Sequence, residues 1–482
     1  MKNILNKINY SMLSVILFLL ISIITLFIPP IIGMADNGDY YRIISQNDLY
    51  HLPKENEDIF FGYFNKSYGI YKYNNELETT LISTQSTFIK LAIFIDKLIT
   101  KDDVFDIRFL SIIYIIIQAV ALYFISRVLL EDINNKKYKV ILVFLITIIF
   151  SDTAYIAYYN SFYGESVNIC CFLYSIGIFL YMCKFNKFNI NNLILFGIST
   201  YLLLGSKQQL SPIGILASIL LVRVIFLKRD IKVRIVSIIL IIFLITNSVY
   251  FYKSIKGDFD YINRYHAITR GVLLYEEEPD KILNNFDIYN QYSLLQNEIF
   301  FEKIPMVNPD DERLKEEFYS KYSVFSILLY YIKNPKALIK MCDLAFKNSY
   351  SIRPKVMGNY EKYEGKAYGK RSNFFVLWSS FKESIMPKGF IISAIYIFIY
   401  LIFSYKKYIK EFKLGNLEGL LFEEGLLYAL IIGLSQIFIS IIGAGDADLS
   451  KHVFMYNLSF DLMIVCLLSN IISKKDSKGR IK

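Results

Sequence analysis

The sequence is poor in the residues and motifs that mark metal sites, disulfides and nucleotide sites. Its 482 residues include one tryptophan, three histidines and five cysteines. No CxxC pair and no Cys/His spacing typical of zinc occurs, and no two cysteines indicate a disulfide framework. A P-loop, a Rossmann fingerprint and a G-x-S-x-G motif are also missing. These absences argue against a cytosolic nucleotide-sugar enzyme and an ATP-driven pump.

Long apolar runs are what the chain has in quantity. Hydrophobic residues make up 54% of it, with 39 Tyr and 39 Phe, and nearly uncharged runs of about 18 residues recur along it. This pattern predicts an all-α polytopic membrane protein. Ten spans are expected, at residues 11–34, 108–129, 140–158, 167–183, 190–206, 211–227, 234–252, 389–405, 424–443 and 452–472.

Lysine and arginine in the short loops predict the orientation of these spans. With ten spans, six basic segments fall on one side, and the positive-inside rule makes that side cytoplasmic. We therefore expect both termini in the cytoplasm and two large loops on the outer face. The basic segments also account for the net charge of +10 without nucleic acid. They lie around Lys2, Lys136, Lys184, Lys228 and Lys406 and in the tail from Lys474 to Lys482.

Three domains follow from the spans and the large loops. Residues 323–348 of the second outer loop are predicted to be helical, with a break near Asn334-Pro335 and an apolar core too short to cross a bilayer. In the first outer loop, residues 35–107, an amphipathic helix from Phe88 to Leu98 is predicted to lie along the interface. The domains are an N-terminal transmembrane module (1–252), a small, mainly helical extracytoplasmic domain (253–388), and C-terminal transmembrane helices with a basic tail (389–482).

Two carboxylates follow the first span, in the stretch from Met34 to Arg42. Asp36 and Asp39 are three residues apart, which places both on one side of the chain if the helix continues past Ala35. An acid at the mouth of a membrane cavity suits a general base. The alternative is a solvated loop start with Asn-Gly turn chemistry.

Other charged and aromatic residues occur where further loops meet the predicted outer surface. Acids at the turn after the third span, Asp152 and Glu165, are costly at that depth and tend to mark function, whereas an aromatic belt explains the tyrosines between them. Cations suit a phosphate, although a snorkelling lysine and a solvated loop start are plainer explanations. The candidates for substrate binding are Arg42, Glu165, Lys207, Arg264, His266, Arg270, Trp378, Asp446, Asp448, Lys451 and His452.

More specific roles are predicted for Trp378 and for the group from Asp446 to His452. Trp378 would stack on a sugar face, unless it is an interface anchor before a membrane helix. The group from Asp446 to His452 packs acid, lysine and histidine into a short turn. A metal site is one use of that group, and binding of a diphosphate by Lys451 and His452 is the preferred one.

Six stretches with charged, aromatic or glycine residues follow one another along the chain: Gly38 to Arg42, Tyr159 to Glu165, His266 to Leu273, Met357 to Glu361, Leu377 to Ser379 and Gly445 to His452. In this order, they resemble bacterial glycosyltransferases of the GT-C membrane superfamily. Among them, the chain is similar to the membrane hexose transferases of S-layer glycan clusters, the WsfD type. GT-C enzymes carry a catalytic acid in the first outer loop, at a position similar to Asp39.

The resemblance implies transfer of a hexose from a polyprenyl-phosphate carrier to a glycan or other acceptor at the outer face of the cell membrane. Asp39 would be the base of an inverting displacement, with Asp36 in support. The departing lipid phosphate would be stabilised first by Lys451, His452 and Arg270. The second outer turn lacks an adjacent Asp-Glu or Asp-x-Asp pair, so a divalent cation (Mg or Mn) is an open expectation.

Two other functions stay open at this point. One is a flippase or transporter for lipid-linked glycans, although the inverted repeats and broken helices common in transporters are not evident. The other is a glycan polymerase or ligase, for which arginine-rich outer loops are expected more than a leading Asp. The sugar, the acceptor and the linkage do not follow from the sequence.

Overall fold

The computed structural model describes residues 9–72, 82–254, 258–354 and 356–478. Within them, the architecture is a bundle of long apolar helices with two long loops at one end, here called the loop face. Helices suit a bilayer because every backbone polar group is satisfied within the segment. The predicted fold class, an all-α polytopic membrane protein, is confirmed.

The first membrane helix, α1 (Tyr10–Phe27), is shorter than predicted. It stops before Pro29-Pro30, since proline lacks the backbone donor that a helix needs. Residues 28–34, predicted to be part of the span, are not helical. The first long loop then contains α2 (Tyr41–Ile44), β1 (Leu49–His51), α3 (Asn56–Ile59), β2 (Ser67–Ile70), α4 (Gln85–Ile99) and β3 (Val104–Asp106).

The three strands form a small antiparallel sheet that the sequence did not indicate. Its order is β1-β2-β3, with Tyr50 opposite Gly69 and Tyr68 opposite Phe105. Strands of three or four residues carry too little alternation to be read from sequence. The helix predicted at Phe88–Leu98 is present as α4.

The rest of the N-terminal half is helical, and one predicted span, 140–158, is broken. The break bends the chain by 41°, because Asp152 starts a new helix by accepting a 2.8 Å hydrogen bond from the Ala154 N–H. The helices are α5 (Arg108–Leu130), α6 (Lys136–Phe150), α7 (Thr153–Ile156), α8 (Glu165–Phe185), α9 (Ile190–Leu204), α10 (Ile213–Leu227) and α11 (Ile231–Lys253).

The second long loop is mainly helical, as predicted. Ser323 and Ser326 form a capping box at the start of α15, and Pro335 begins α16, which confirms the predicted break. A π-helical turn, Ile268–Val272, follows α12. The helices from here on are α12 (Asp258–Ala267), α13 (Pro279–Asn284), α14 (Glu312–Glu317), α15 (Val324–Lys333), α16 (Pro335–Asn348), α17 (Leu377–Ser384), α18 (Phe390–Lys413), α19 (Leu417–Ala444), α20 (Leu449–His452) and α21 (Phe454–Lys478).

Among the described residues, eight helices are long and apolar enough to cross a membrane, and the bent pair α6 and α7 makes nine. Helix α10 reaches that length together with the turn before it, as Gln208–Leu227, whereas α9, with 15 residues, falls short of it. It nevertheless runs from the turn after Lys187 to the loop face, where the Gly205 carbonyl accepts a bond from the Thr84 N–H. The ten predicted spans therefore correspond to eight long helices, one broken pair and one short helix.

Packing places α8 at the centre of the bundle and α18 at its edge. Helix α8 contacts α5, α9 and α19, and 89% of its apolar window is buried, against 11% for α18. A second hydrophobic core fills the second long loop and includes Ile437 and Ile441 of α19 and Tyr456 and Phe460 of α21. The second loop is therefore packed onto the C-terminal spans.

Candidate active site

The stretch that leads from α1 to the first predicted acid is held between two buried asparagines. The Asn160 side-chain amide donates to the Ile32 carbonyl at 2.8 Å, and the backbone carbonyl of Asn160 accepts from the Met34 N–H. The Asn359 amide donates to the Gly33 carbonyl at 2.7 Å. Both asparagines are fully buried, so residues 31–35 are fixed from either side by the turn before α8 and by the second long loop.

Asp36 shapes the turn that presents Asp39. One carboxylate oxygen of Asp36 accepts bonds from the N–H groups of Gly38 (2.7 Å) and Tyr40 (3.1 Å). The other lies 3.2 Å from His51 Nε2, and the Asp36 side chain is 2% exposed. The expectation that both acids lie on one side of a continued helix is wrong, because α1 ends nine residues before Asp36. His51 on β1 had no predicted role.

Asp39 lies between two cations. Lys451 Nζ is 2.6 Å from Oδ2, and an Arg42 guanidinium nitrogen is 3.2 Å from Oδ1. Burial alone would raise the pKa of Asp39, but Lys451 and Arg42 outweigh it and lower this pKa to about 2. The side chain keeps 31% of its surface exposed, so a ligand on the loop face can reach an ionised carboxylate.

A second ion pair lies beside the first. Glu165, the first residue of α8, is buried and accepts a bond from Lys207 Nζ at 2.6 Å. Lys207 packs on Gly164, where an added Cβ would lie 3.2 Å from its Cε. Lys207 also contributes to the lowered pKa of Asp39, and Lys451 lies over the ring of Tyr163 at 5.1 Å. We call Asp39, Arg42, Glu165, Lys207 and Lys451 the Asp39 cluster.

His452 joins this region as a neutral group. Its Nδ1 lies 2.8 Å from Gln209 Oε1, while Gln209 Nε2 donates to the His452 carbonyl at 3.0 Å. Burial first, and then Lys207, lower the pKa of His452 to about 4. The Asp39 cluster therefore brings two lysines and an arginine against two carboxyl groups, with a neutral His452 beside them.

Arg270 and Asp446 form a separate pair between the π-helical turn and the end of α19. Two guanidinium nitrogens bind the two carboxylate oxygens, each at 2.7 Å, in the bidentate geometry that suits arginine. Gly445 makes this approach possible: it has a φ of +61°, and an added Cβ would lie 2.4 Å from the Arg270 carbonyl oxygen. Asp448 is exposed in the next turn.

The three donors predicted to clamp a phosphate do not converge. Arg264 donates to the carbonyls of Tyr319 and Tyr322 within the second loop. His266 is buried and accepts a 2.9 Å bond from the Phe300 N–H, with its pKa lowered to about 4 by burial and by Arg270. Arg264 and His266 thus hold the second loop together, and Arg270 is paired with Asp446.

Trp378 belongs to a buried cluster that the sequence did not indicate. Its indole N–H donates to Asp461 at 2.7 Å, and Lys382 lies 2.5 Å from the same carboxylate. Tyr155 also donates to Asp461 at 2.7 Å. Lys382 and Asp461 are 1% and 0% exposed. These residues come from α17, α21 and α7, and no local sequence pattern in any of these helices predicts that they pair.

A metal centre is not formed by these residues. In the part of the chain that the structure describes, no three His, Cys, Asp or Glu side chains are gathered in a way that could hold a metal ion. The two carboxylates of the Asp39 cluster face lysines and an arginine. A divalent cation therefore stays an expectation without a ligand set.

Comparison with known proteins places the chain in a family. Residues 1–482 match the model of the YfdI N-terminal transmembrane domain. The chain belongs to this family. It is similar to the uncharacterised protein YfdI of Escherichia coli strain K12, with 25% identity over 405 residues, which cover 78% of this chain and 80% of YfdI. These matches do not test the likeness to WsfD-type transferases, which stays a prediction.

Two solved structures of an archaeal oligosaccharyltransferase from Archaeoglobus fulgidus show a distant likeness. One is AglB in complex with an inhibitory peptide and a dolichol-phosphate, with a TM-score of 0.37, and the other is the apo form, with 0.39. Each is 12% identical; the matches cover 94% and 96% of this chain. The chain spans half the length of the oligosaccharyltransferase. At these scores the likeness carries no functional argument.

Proposed function

We propose that the protein is a membrane glycosyltransferase that moves a hexose from a polyprenyl-phosphate carrier to an acceptor hydroxyl, with Asp39 as the general base. The observation that carries this proposal is the ion pair between Asp39 and Lys451. It brings a carboxylate that is ionised at neutral pH together with cations that suit a phosphate, at the loop face of a membrane bundle. A lipid-linked donor needs such a site, because its tail stays in the bilayer while its headgroup leaves it.

The reaction assigns one task to each kind of group. The acceptor oxygen forms a bond to the anomeric carbon while the bond from that carbon to the phosphate oxygen breaks. The acceptor proton passes to Asp39, and the carrier leaves as a phosphate whose new negative charge is stabilised by Lys451, Lys207 and Arg42. A positioned base typically contributes about 10²–10⁴-fold to the rate.

Cations lie against both carboxylate oxygens of Asp39, and donor binding would activate the base by drawing these cations away. Arg42 lies against one oxygen and Lys451 against the other, so the acceptor proton needs one of these cations to move. A donor phosphate competes for the same cations. As they turn toward the phosphate, the pKa of Asp39 rises, because burial is then opposed by less positive charge.

The orientation of the site is part of the proposal. The short basic loops around Lys136, Lys184 and Lys228 lie on the face opposite the Asp39 cluster, and the positive-inside rule makes their side cytoplasmic. The loop face is then extracytoplasmic. A glycan or lipid-linked acceptor would meet the donor there.

Reconstitution of the purified protein with a polyprenyl-phosphate hexose tests the proposal. We expect sugar transfer by the wild type and a loss of at least about 10²-fold in Asp39→Asn, which keeps the shape of the side chain but removes the base. Asp103→Asn is the matched control, since Asp103 is an exposed partner of Lys72 on the same loop. Full activity of Asp39→Asn would overturn the assignment of the base. Movement of the intact lipid across vesicles without transfer would replace the enzyme by a transporter.

A further inference from the structure

Helix α15 exposes an apolar stripe although it belongs to a loop. Phe325, Leu328, Leu329 and Ile332 are 65%, 36%, 37% and 62% exposed. Their spacing of i, i+3, i+4 and i+7 places them on one face of the helix. Soluble surfaces seldom carry a continuous stripe of this kind without a partner.

The opposite face of α15 is anchored in the second hydrophobic core. Ile327, Tyr330 and Tyr331 are at most 5% exposed. The Tyr330 hydroxyl donates to Glu276 at 2.8 Å. The orientation of the helix is therefore set by the fold, and the exposed stripe is not a consequence of a helix that has failed to pack.

The position of α15 brings the stripe to the level where the membrane helices end. Helix α15 packs against α19, and the following helix α16 packs against α18 and α19. At the start of α18, the Phe390 ring lies 6.1 Å from the Phe346 ring of α16. Helix α18, which contacts α16, is the described membrane span with the least buried surface, so only α16 separates α15 from a lipid-facing span.

The charged residues around α15 also suit a membrane surface. Residues 318–342 contain Lys321, Lys333, Lys336 and Lys340 and no Asp or Glu, and all four lysines are exposed. Lysines at the ends of an apolar helix can extend toward anionic headgroups while their stems stay on the apolar surface. Ten residues rise only about 15 Å, which is too short to cross a bilayer.

We infer that α15 is an interfacial anchor that lies in the lipid leaflet on the loop face, with Phe325, Leu328, Leu329 and Ile332 in the acyl region and the flanking lysines at anionic headgroups. The partner is the bilayer itself. This inference does not depend on the reaction proposed above. It fixes the depth of the second long loop relative to the membrane.

Site-directed spin labelling measures this depth. Single cysteines at Phe325, Leu329 and Ile332 would be placed in a background without the five buried native cysteines, in vesicles of phosphatidylethanolamine and phosphatidylglycerol. We expect each label to be several-fold more accessible to oxygen than to a water-soluble nickel chelate, like a label at Phe398 on α18. A label at Glu316, exposed on the polar helix α14, is the aqueous control. Labels that behave like Glu316, or that are shielded from both reagents by protein, would overturn the inference.

A measurement on the unmodified protein covers the case in which the cysteine-free background does not fold. Lipids with a diazirine in the acyl chain, mixed into the same vesicles, label residues that reach the hydrocarbon. We expect labelled peptides from α15 and α18 and none from α14. Label in α18 without label in α15 would contradict the anchor.

Discussion

Cations lie against both carboxylate oxygens of Asp39, and they make the stability of the folded protein depend on pH. Its pKa of about 2 in the folded protein lies below the ordinary value of 3.8. A carboxyl group with a depressed pKa adds stability above its ordinary pKa, and that contribution disappears as the pH falls from about 4 to about 2. The carboxylate is thus ionised throughout the physiological range, and its basicity is limited by Lys451 and Arg42.

Replacement of Lys451 removes a counter-charge from Asp39, the proposed base. In Lys451→Met we expect the acid limb of the kcat/KM profile to move up by about 1–2 pH units, because removal of a nearby cation raises a carboxyl pKa by that order. KM for the lipid donor should rise as well. Lys451→Arg keeps the charge and should retain the wild-type acid limb. An unchanged profile in Lys451→Met would show that Asp39 is not the group that titrates.

Individual residues were predicted better than their partners. Asp39, Glu165, Lys207 and Lys451 stood out because a charge at the end of a span is costly. Their pairing was not predictable, since Asp39 and Lys451 are 412 residues apart and only packing of the whole bundle brings them together. Lys382 lies in a segment of ordinary loop composition, so its burial left no local signal.

At the scale of elements, the segment between α1 and α2 is fixed by its neighbours and not by its own secondary structure. Residues 31–35 bond to Asn160 on one side, and to Gly358 and Asn359 on the other. Asn160 lies in the stretch from Tyr159 to Glu165, and Gly358 and Asn359 lie in the stretch from Met357 to Glu361. The sequence analysis counts both stretches among those that resemble GT-C enzymes. In the structure both stretches, Tyr159 to Glu165 and Met357 to Glu361, bound the backbone that carries Asp39.

A substitution of Asn359 tests whether its hydrogen bonds hold the backbone that leads to Asp39. Asn359→Leu removes the amide that binds the Gly33 carbonyl and the oxygen that accepts from the Ser372 N–H. Unpaired buried groups cost about 1–3 kcal/mol each. We expect faster hydrogen exchange in residues 31–40 and a lower kcat, with membrane insertion unchanged. Asn290→Leu, at an exposed position, is the control, and exchange equal to wild type in Asn359→Leu would refute the support.

Helix boundaries depended on what followed each apolar run. The break at Asn334-Pro335 was predictable from proline at a helix start. The end of α1 was not, because residues 31–35 are as apolar as the helix before them and only their bonds to Asn160 and Asn359 reveal an extended path. Asp152 likewise interrupts an apolar run by capping a new helix, which periodicity alone does not show.

At the scale of the molecule, the Lys382–Asp461 pair fastens the second long loop to the bundle. Lys382 and Trp378 of α17 both bind Asp461 on α21, and Ser379 binds Asp152 before α7. Loss of one partner leaves a buried charge without compensation, which typically costs about 3–5 kcal/mol. The overall class, the approximate spans and the mainly helical second loop followed from hydropathy. The docking of that loop did not, since it depends on single buried contacts between distant segments.

Thermal unfolding in detergent measures how much the Lys382–Asp461 pair contributes to the stability of the protein. We expect Lys382→Met to lower the Tm clearly, whereas Lys382→Met combined with Asp461→Leu should recover part of the loss, because neither charge is then buried alone. Lys347→Met is the control, since its pair with Asp343 is exposed. A double variant no more stable than Lys382→Met would contradict a pairing energy between these side chains.

The ion pair between Asp39 and Lys451 also determines when, during synthesis, the Asp39 cluster can be completed. Asp39 and Lys451 are 412 residues apart, and of the described membrane helices α21 alone follows Lys451 in the chain. A ribosome-bound intermediate therefore carries the carboxylate for most of translation with neither Lys451 nor the final span to complete it. The Asp39 cluster is therefore complete only after Lys451 has been inserted, and the proposed transfer would be absent from chains released before that point.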